Sequence, residues 1–224
     1  MSTWNELLGE FREVVLGRGG VLDTVAPPVV FVIVQALWGF RAAMWSALAV
    51  ALVIAILRLF RGHNVLYALG GAGGVLLAIG LTRLLGGEES FFLPGLMTSA
   101  LTVFLCFASA IVRRPLVAWT SFIARRWPRE WYWHPKVVPA YSEVTIFWGI
   151  YFLARLGAQW YFYQAGSAGR LAWLNLILGW PATIILLMLS YLYGTWRLRK
   201  LGGPSVEEFK TGQEPPWESQ RRGF

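Results

Sequence analysis

A single arginine inside an apolar, membrane-length stretch is the residue of this sequence best placed to do chemistry. Arg155 lies well within Ser142 to Tyr163, SEVTIFWGIYFLARLGAQWYFY. A guanidinium at membrane depth costs about 3 kcal/mol on insertion scales, so it needs a partner, water or a ligand. On a helix Tyr151, Arg155 and Gln159 fall at i, i+4 and i+8 and share one face. That face suits an anion or a polar solute. Arg155 would hold the charge, Gln159 and Asn175 would hydrogen-bond it, and Tyr151 and Trp148 would pack against it. Gln35, near the far end of an earlier apolar run, completes the candidate ligand-binding set. The alternative is that Arg155 snorkels to headgroups or pairs with Glu88 or Glu89.

Other chemistries find little support. His63 and His134 lie far apart and show no metal-ligand spacing, and Cys106, the one cysteine, sits in an apolar run. The glycines at 70, 71, 73 and 74 follow no strand and precede no Lys-Ser/Thr, which a phosphate loop requires. There is no HExxH, no paired aspartate motif and no Ser/His/Asp set in context. The expectation is a protein that is not an enzyme and uses no cofactor and no metal.

The composition sets the frame for these residues. The 224-residue chain is 56% hydrophobic and 14% charged, with a mean hydropathy of +0.52. A soluble domain carries about 25% charge. Several apolar runs approach the roughly 18 residues of a spanning helix. The fold class is therefore an all-α integral membrane protein with about six transmembrane helices. Residues 1–20 form an amphipathic N-terminal segment, 21–200 the membrane domain, and 201–224 a polar tail expected to be disordered. The spans are expected at about 24–39, 42–58, 65–84, 92–112, 142–163 and 171–194. Gly70 and Gly74 make a small-xxx-small pair for close helix packing, within the chain or in a homodimer.

Residues 113–136 change character. Leu116, Trp119, Ile123 and Trp127 share a helix face, with Arg114, Ala118, Ser121 and Arg125 opposite, and Trp131, Tyr132 and Trp133 follow. This predicts an in-plane interfacial helix over about 115–128 and an aromatic belt. Arg113, Arg114, Trp119, Arg125, Arg126 and Trp127 are its candidate lipid-surface residues.

With six spans and both termini in the cytoplasm, 16 of the 20 basic residues fall on the cytoplasmic side, in agreement with the positive-inside rule. The net charge of +8 is then a collar facing anionic lipid rather than a nucleic-acid footprint. In the same topology Arg155 lies about 12 Å from the outer end of its span. Gln35, Gln159 and Asn175 also fall in the outer half, which gives the solute reading an outward-facing vestibule.

Several short motifs carry a resemblance. They are Ala26-Pro27-Pro28-Val29-Val30-Phe31, Phe91-Phe92-Leu93-Pro94-Gly95, Arg113-Arg114-Pro115-Leu116, Arg155 with Gln159 and Tyr163, and Gly179-Trp180-Pro181. Over about residues 20–200 the chain resembles an actinobacterial family of uncharacterised multi-pass membrane proteins. It is more distantly similar to the intracellular septation protein A group, inner-membrane proteins linked to envelope maintenance and division. The resemblance, taken with the interfacial helix, the basic collar and the polar tail, implies a structural or interaction protein of the cytoplasmic membrane that acts in envelope maintenance or division through membrane-protein partners. A transporter or receptor for a small anionic or polar solute is the competing expectation.

Overall fold

The computed structural model describes residues 21–220 and 223–224, with side chains from residue 26 onward. The amphipathic segment expected over 1–20 lies outside the described residues. The helices are α1 (Val21–Phe60), α2 (Val65–Leu85), α3 (Leu93–Ile111), α4 (Leu116–Arg125), α5 (Arg129–Tyr132), α6 (Val138–Gln164), α7 (Ala168–Ile177), α8 (Trp180–Leu201) and α9 (Val206–Thr211). A 3-10 turn over Glu88–Phe92 precedes α3. Among the described residues there is no strand.

Among the described residues four helical stretches are long and apolar enough to cross a membrane: Ala26–Phe60, Val65–Leu85, Glu88–Ile111 and Ala168–Leu201. Their surfaces are inverted relative to a soluble protein. Only 22% of the apolar window of α2 is buried, and Phe60, Leu66 and Leu84 are more than 80% exposed. Faces of this kind require an apolar solvent. The expected stretch 142–163 forms the core of α6 but is not among the four, because Glu143, Arg155, Gln159 and its tyrosines lower its apolar character. At 1.5 Å per residue, the 35 residues of Ala26–Phe60 would extend about 52 Å if straight, well beyond a roughly 30 Å hydrocarbon core. The helix is instead broken at Gly39, whose φ of 81° and ψ of 176° are outside the helical region and open to a residue without Cβ.

The chain divides into two compact units. The first comprises the described residues up to Leu96 together with Ala158–Pro181. Its core joins Phe31, Phe40, Met44, Leu48, Ile79 and Ala172. Phe31 stacks on Phe91 at 5.1 Å and meets Phe40 edge-on at 5.8 Å, so the turn that opens α3 is fastened to both sides of the Gly39 break. α2 packs through Ala72 on Ala51 and Ala55. The glycine pair is not on that seam. A Cβ at Gly70 or Gly74 would meet nothing within 4 Å among the described residues. Alanines already give the close approach, and they lie on a different face of the helix.

The second unit comprises Met97–Gly157 with Ala182–Phe224. Its core is aromatic. Trp131, Tyr132 and Tyr141 are fully buried, with Val117, Ala118, Val144, Leu198 and Phe224 around them. Trp131 and Tyr132, read from sequence as part of an interfacial belt, are core residues. The short helix α5 turns them inward, and each polar tip is satisfied there. Trp131 Nε1 donates to Pro204 O at 2.9 Å, and the Tyr132 and Ser121 hydroxyls share a 3.2 Å hydrogen bond.

The segment expected to be disordered from 201 onward is folded in the described residues. Ser205 and Glu208 form a reciprocal capping box that starts α9. Gln220 Oε1 accepts from Val206 N at 3.1 Å, and the Phe224 ring stacks on Tyr141 at 4.2 Å. Polar composition hides this order, because a few aromatic and capping residues supply the contacts.

Candidate functional site

The polar side chains of the apolar helices form relays. In each, a donor from one helix reaches a polar side chain on another, and that side chain passes its own proton to the carbonyl four residues earlier. Within the first unit, Gln159 is fully buried and its Nε2 donates to Asn175 Oδ1 at 2.6 Å. Asn175 Nδ2 then donates to Leu171 O at 2.9 Å. Within the second unit, Trp148 Nε1 donates to Ser190 Oγ at 2.8 Å, and Ser190 Oγ donates to Leu186 O at 2.7 Å. Val117 N donates to Thr145 Oγ1 at 3.2 Å, and Thr145 Oγ1 donates to Tyr141 O at 2.7 Å. α6 supplies a member of every relay. Buried polar groups without partners are costly, so each relay removes a penalty and fixes a pair of helices together.

The five candidate ligand-binding residues fall into two groups. Gln35, Gln159 and Asn175 belong to the first unit, and Tyr151 and Arg155 to the second. Gln159 and Asn175 are in direct contact. The Gln35 amide stands beside Gly169, 3.7 Å from where a Cβ would be. The half-buried Arg155 lies one turn beyond Tyr151, and the Tyr151 hydroxyl has Thr183 as a hydrogen-bonding neighbour. Among the described residues Gln159 Oε1 is buried and has no hydrogen-bond partner.

The lipid-surface candidates also divide. Arg113, Arg114 and Arg126 are exposed, and Trp119 is 37% exposed. On α4 Val117, Ala118 and Ser121 pack inward, while Trp119 and Ile123 face outward. Arg125 and Trp127 are half-buried instead. Arg125 Nε donates to Phe224 O at 3.1 Å, its guanidinium lies 5.0 Å over the Trp127 ring, and Trp127 packs edge-on against Trp131 at 5.4 Å.

One charged cluster was not legible in the sequence. Arg197 grips Glu143 with two bonds of 2.7 Å, Nε to Oε2 and Nη2 to Oε1, and the Tyr193 hydroxyl adds a third at 2.8 Å. The partners are 54 residues apart, and no local spacing signals them. The cluster borders an apolar groove of about 510 Å³ between α6 and α8, lined by Val144, Phe147, Leu189 and Leu192. Among the described residues no group of three or more His, Cys, Asp or Glu is arranged to hold a metal ion.

In comparisons with known proteins, residues 16–199 match the family described as "Protein of unknown function (DUF3159)". No curated protein and no solved structure matches the chain.

Proposed function

The chain belongs to this family, and we propose that it is a multi-pass protein of the cytoplasmic membrane, acting as a structural and interaction protein in envelope maintenance or division. In this reading it is not an enzyme. It crosses the bilayer six times, the break at Gly39 giving two spans and α6 another, with both termini in the cytoplasm. The observation that carries the reading is the relay from Gln159 to Asn175 to Leu171 O. Two of the polar groups that sequence alone assigns to a solute, Gln159 and Asn175, bond to each other across two helices. The outward-facing Trp119 and Ile123, with Arg113, Arg114 and Arg126 beside them, support contact with anionic lipid at the cytoplasmic face. Partner proteins or a second copy would meet the apolar faces, of which the exposed Gly70/Gly74 face is one. Deletion of the gene and crosslinking in membranes test the reading. It predicts a cell-shape or division defect and a reproducible crosslinked membrane partner, and normal growth without a partner would oppose it.

A second reading, a carrier or receptor for a small anionic or polar solute around Arg155, is favoured by one observation. Among the described residues Gln159 Oε1 is a buried acceptor without a donor, as a site awaiting a hydroxyl or amine would have. Arg155→Ala separates the readings, since a carrier loses uptake or binding and a scaffold does not.

A further inference from the structure

We propose that the cavity at the end of α3 binds the phosphate of an anionic phospholipid. The inference rests on the interfacial lipid contact proposed above and gives it a defined seat. An open cavity of about 670 Å³ lies in the second unit, and its polar lining is Arg113, Arg114 and Ser142. Its remaining lining includes Trp133, Val112 and Val138, and no carboxylate. Among the described residues no carboxylate or hydrogen-bond acceptor engages either guanidinium. Arg114 instead lies 4.5 Å over the Trp133 ring. Stacking of this kind orients a guanidinium and leaves its N–H edge open to a phosphate, which arginine can grip with two parallel bonds.

The backbone fixes where these side chains stand. Arg113 N donates to Ala110 O at 3.1 Å and Arg114 N to Ser109 O at 2.9 Å, which closes α3 with a Schellman motif. Arg113 occupies the left-handed position of that motif, φ 54°, where glycine is usual. Pro115 and the Ser109 Oγ, which accepts from Leu116 N at 3.0 Å, then turn the chain into α4. The partial negative charge of the α3 terminus is about half an elementary charge, so two guanidiniums leave the cavity clearly positive.

The source of the phosphate follows from the walls. α3 is one of the membrane-length helices, so the cavity just past its end lies at headgroup depth. Val112, Val138 and Pro139 offer apolar surface beside the cations, which fits a glycerol backbone and first acyl carbons rather than a hydrated inorganic ion.

The test uses the full chain in mild detergent, with native mass spectrometry of retained phosphatidylglycerol and phosphatidylcholine. The proposal predicts selective retention of phosphatidylglycerol, reduced by about tenfold or more in R113Q/R114Q, as loss of charge-assisted hydrogen bonds requires. R129Q/K210Q removes two exposed cations outside the cavity and is expected to retain the lipid. An equal loss in R129Q/K210Q would overturn the seat and leave diffuse interfacial attraction standing. Absence of any phosphatidylglycerol preference in the unsubstituted chain would overturn both the seat and the interfacial reading. Displacement of the lipid by millimolar inorganic phosphate would overturn the lipid as its ligand. Unchanged thermal unfolding of R113Q/R114Q by circular dichroism confirms that a loss of lipid reflects the site rather than the fold.

Discussion

Gln159 and Asn175 share a side-chain hydrogen bond of 2.6 Å, and Asn175 passes its own N–H to Leu171 O. The two amides stand 16 residues apart and tie α6 to α7. Breaking such a pair on one side removes one contact of the half-buried Asn175 amide. Gln159→Met is expected to lower stability by about 1 kcal/mol, the scale of a side-chain hydrogen bond between membrane helices. Adding Asn175→Leu removes the other half of this bond and is expected to cost less than the sum of the two single substitutions. Unfolding in detergent micelles, monitored for the two single variants and the double, measures this as a cycle.

The Trp148–Ser190 relay predicts the same behaviour in the second unit. Ser190→Ala leaves the indole N–H without its acceptor, and a loss of about 1 kcal/mol is expected. Trp148→Phe in that background removes the unpaired donor and is expected to recover part of the loss by the same readout.

The docking of Phe224 sets the mobility of the segment after α8. Phe224 stacks on Tyr141, and a Cβ at Gly194 would collide with the Phe224 ring. Gly194→Ala and Phe224→Ala are therefore both expected to release the segment. Full loss of a buried phenyl ring corresponds to about 1.5–3 kcal/mol, or more than a tenfold rise in the open population. Limited trypsin cleavage at Lys210 reads that population. Cleavage rates unchanged by both substitutions would contradict the docked arrangement.

Two groups near this segment give it a pH dependence. Burial pushes the Glu208 carboxyl up, but hydrogen bonds from Glu218 N and from the Ser205 N and hydroxyl outweigh it and hold the group below the usual carboxylate range. Its folded value is depressed. The stability it adds is present above the unfolded carboxylate value and is lost as pH falls through the folded one. His134 is also depressed, by burial and then by the Lys136 charge, and its Nδ1 accepts from Lys136 N at 3.2 Å. Neutral imidazole is the form that fits. The His134 contribution is therefore present above about 6.5 and is lost as pH falls below that value through the lower folded one. Protease sensitivity of the segment should rise in two steps on acidification, one around His titration and one around carboxylate titration. His134→Gln should abolish the upper step, and Glu208→Gln the lower.

Much of the architecture is legible in the sequence for simple reasons. Apolar runs of membrane length announce α2, α3 and α8, and Gly39 and Gly86-Gly87 mark breaks that backbone freedom makes readable. On α4 the 3.6-residue period groups Leu116, Trp119, Ile123 and Trp127, of which Trp119 and Ile123 are exposed while Leu116 and Trp127 are half-buried. Long-range pairing has no such signature. Glu143 and Arg197 meet across 54 residues, and nothing near either residue points to the other. Trp131 and Tyr132 show the limit of composition. An aromatic run next to arginines reads equally as a belt or a core, and only the reach of Trp131 Nε1 to Pro204 O decides between them. Among the site candidates, the i, i+4, i+8 spacing singles out Gln159, which is buried and bonded to Asn175. That Asn175 is its partner depends on the packing of α7, which periodicity does not contain.

Water access to Gln159 tests the central claim most directly. In a Cys106→Ser background, single cysteines at Gln159 and at the exposed Ala165 are treated in intact cells with a membrane-impermeant maleimide. If the relay holds helices together, Ala165→Cys labels and Gln159→Cys does not, as the full burial of Gln159 requires. Labelling at Gln159 to the level of the Ala165 control would reveal a wet, outward-open vestibule. That result would contradict the structural role and move the assignment to solute binding at Arg155.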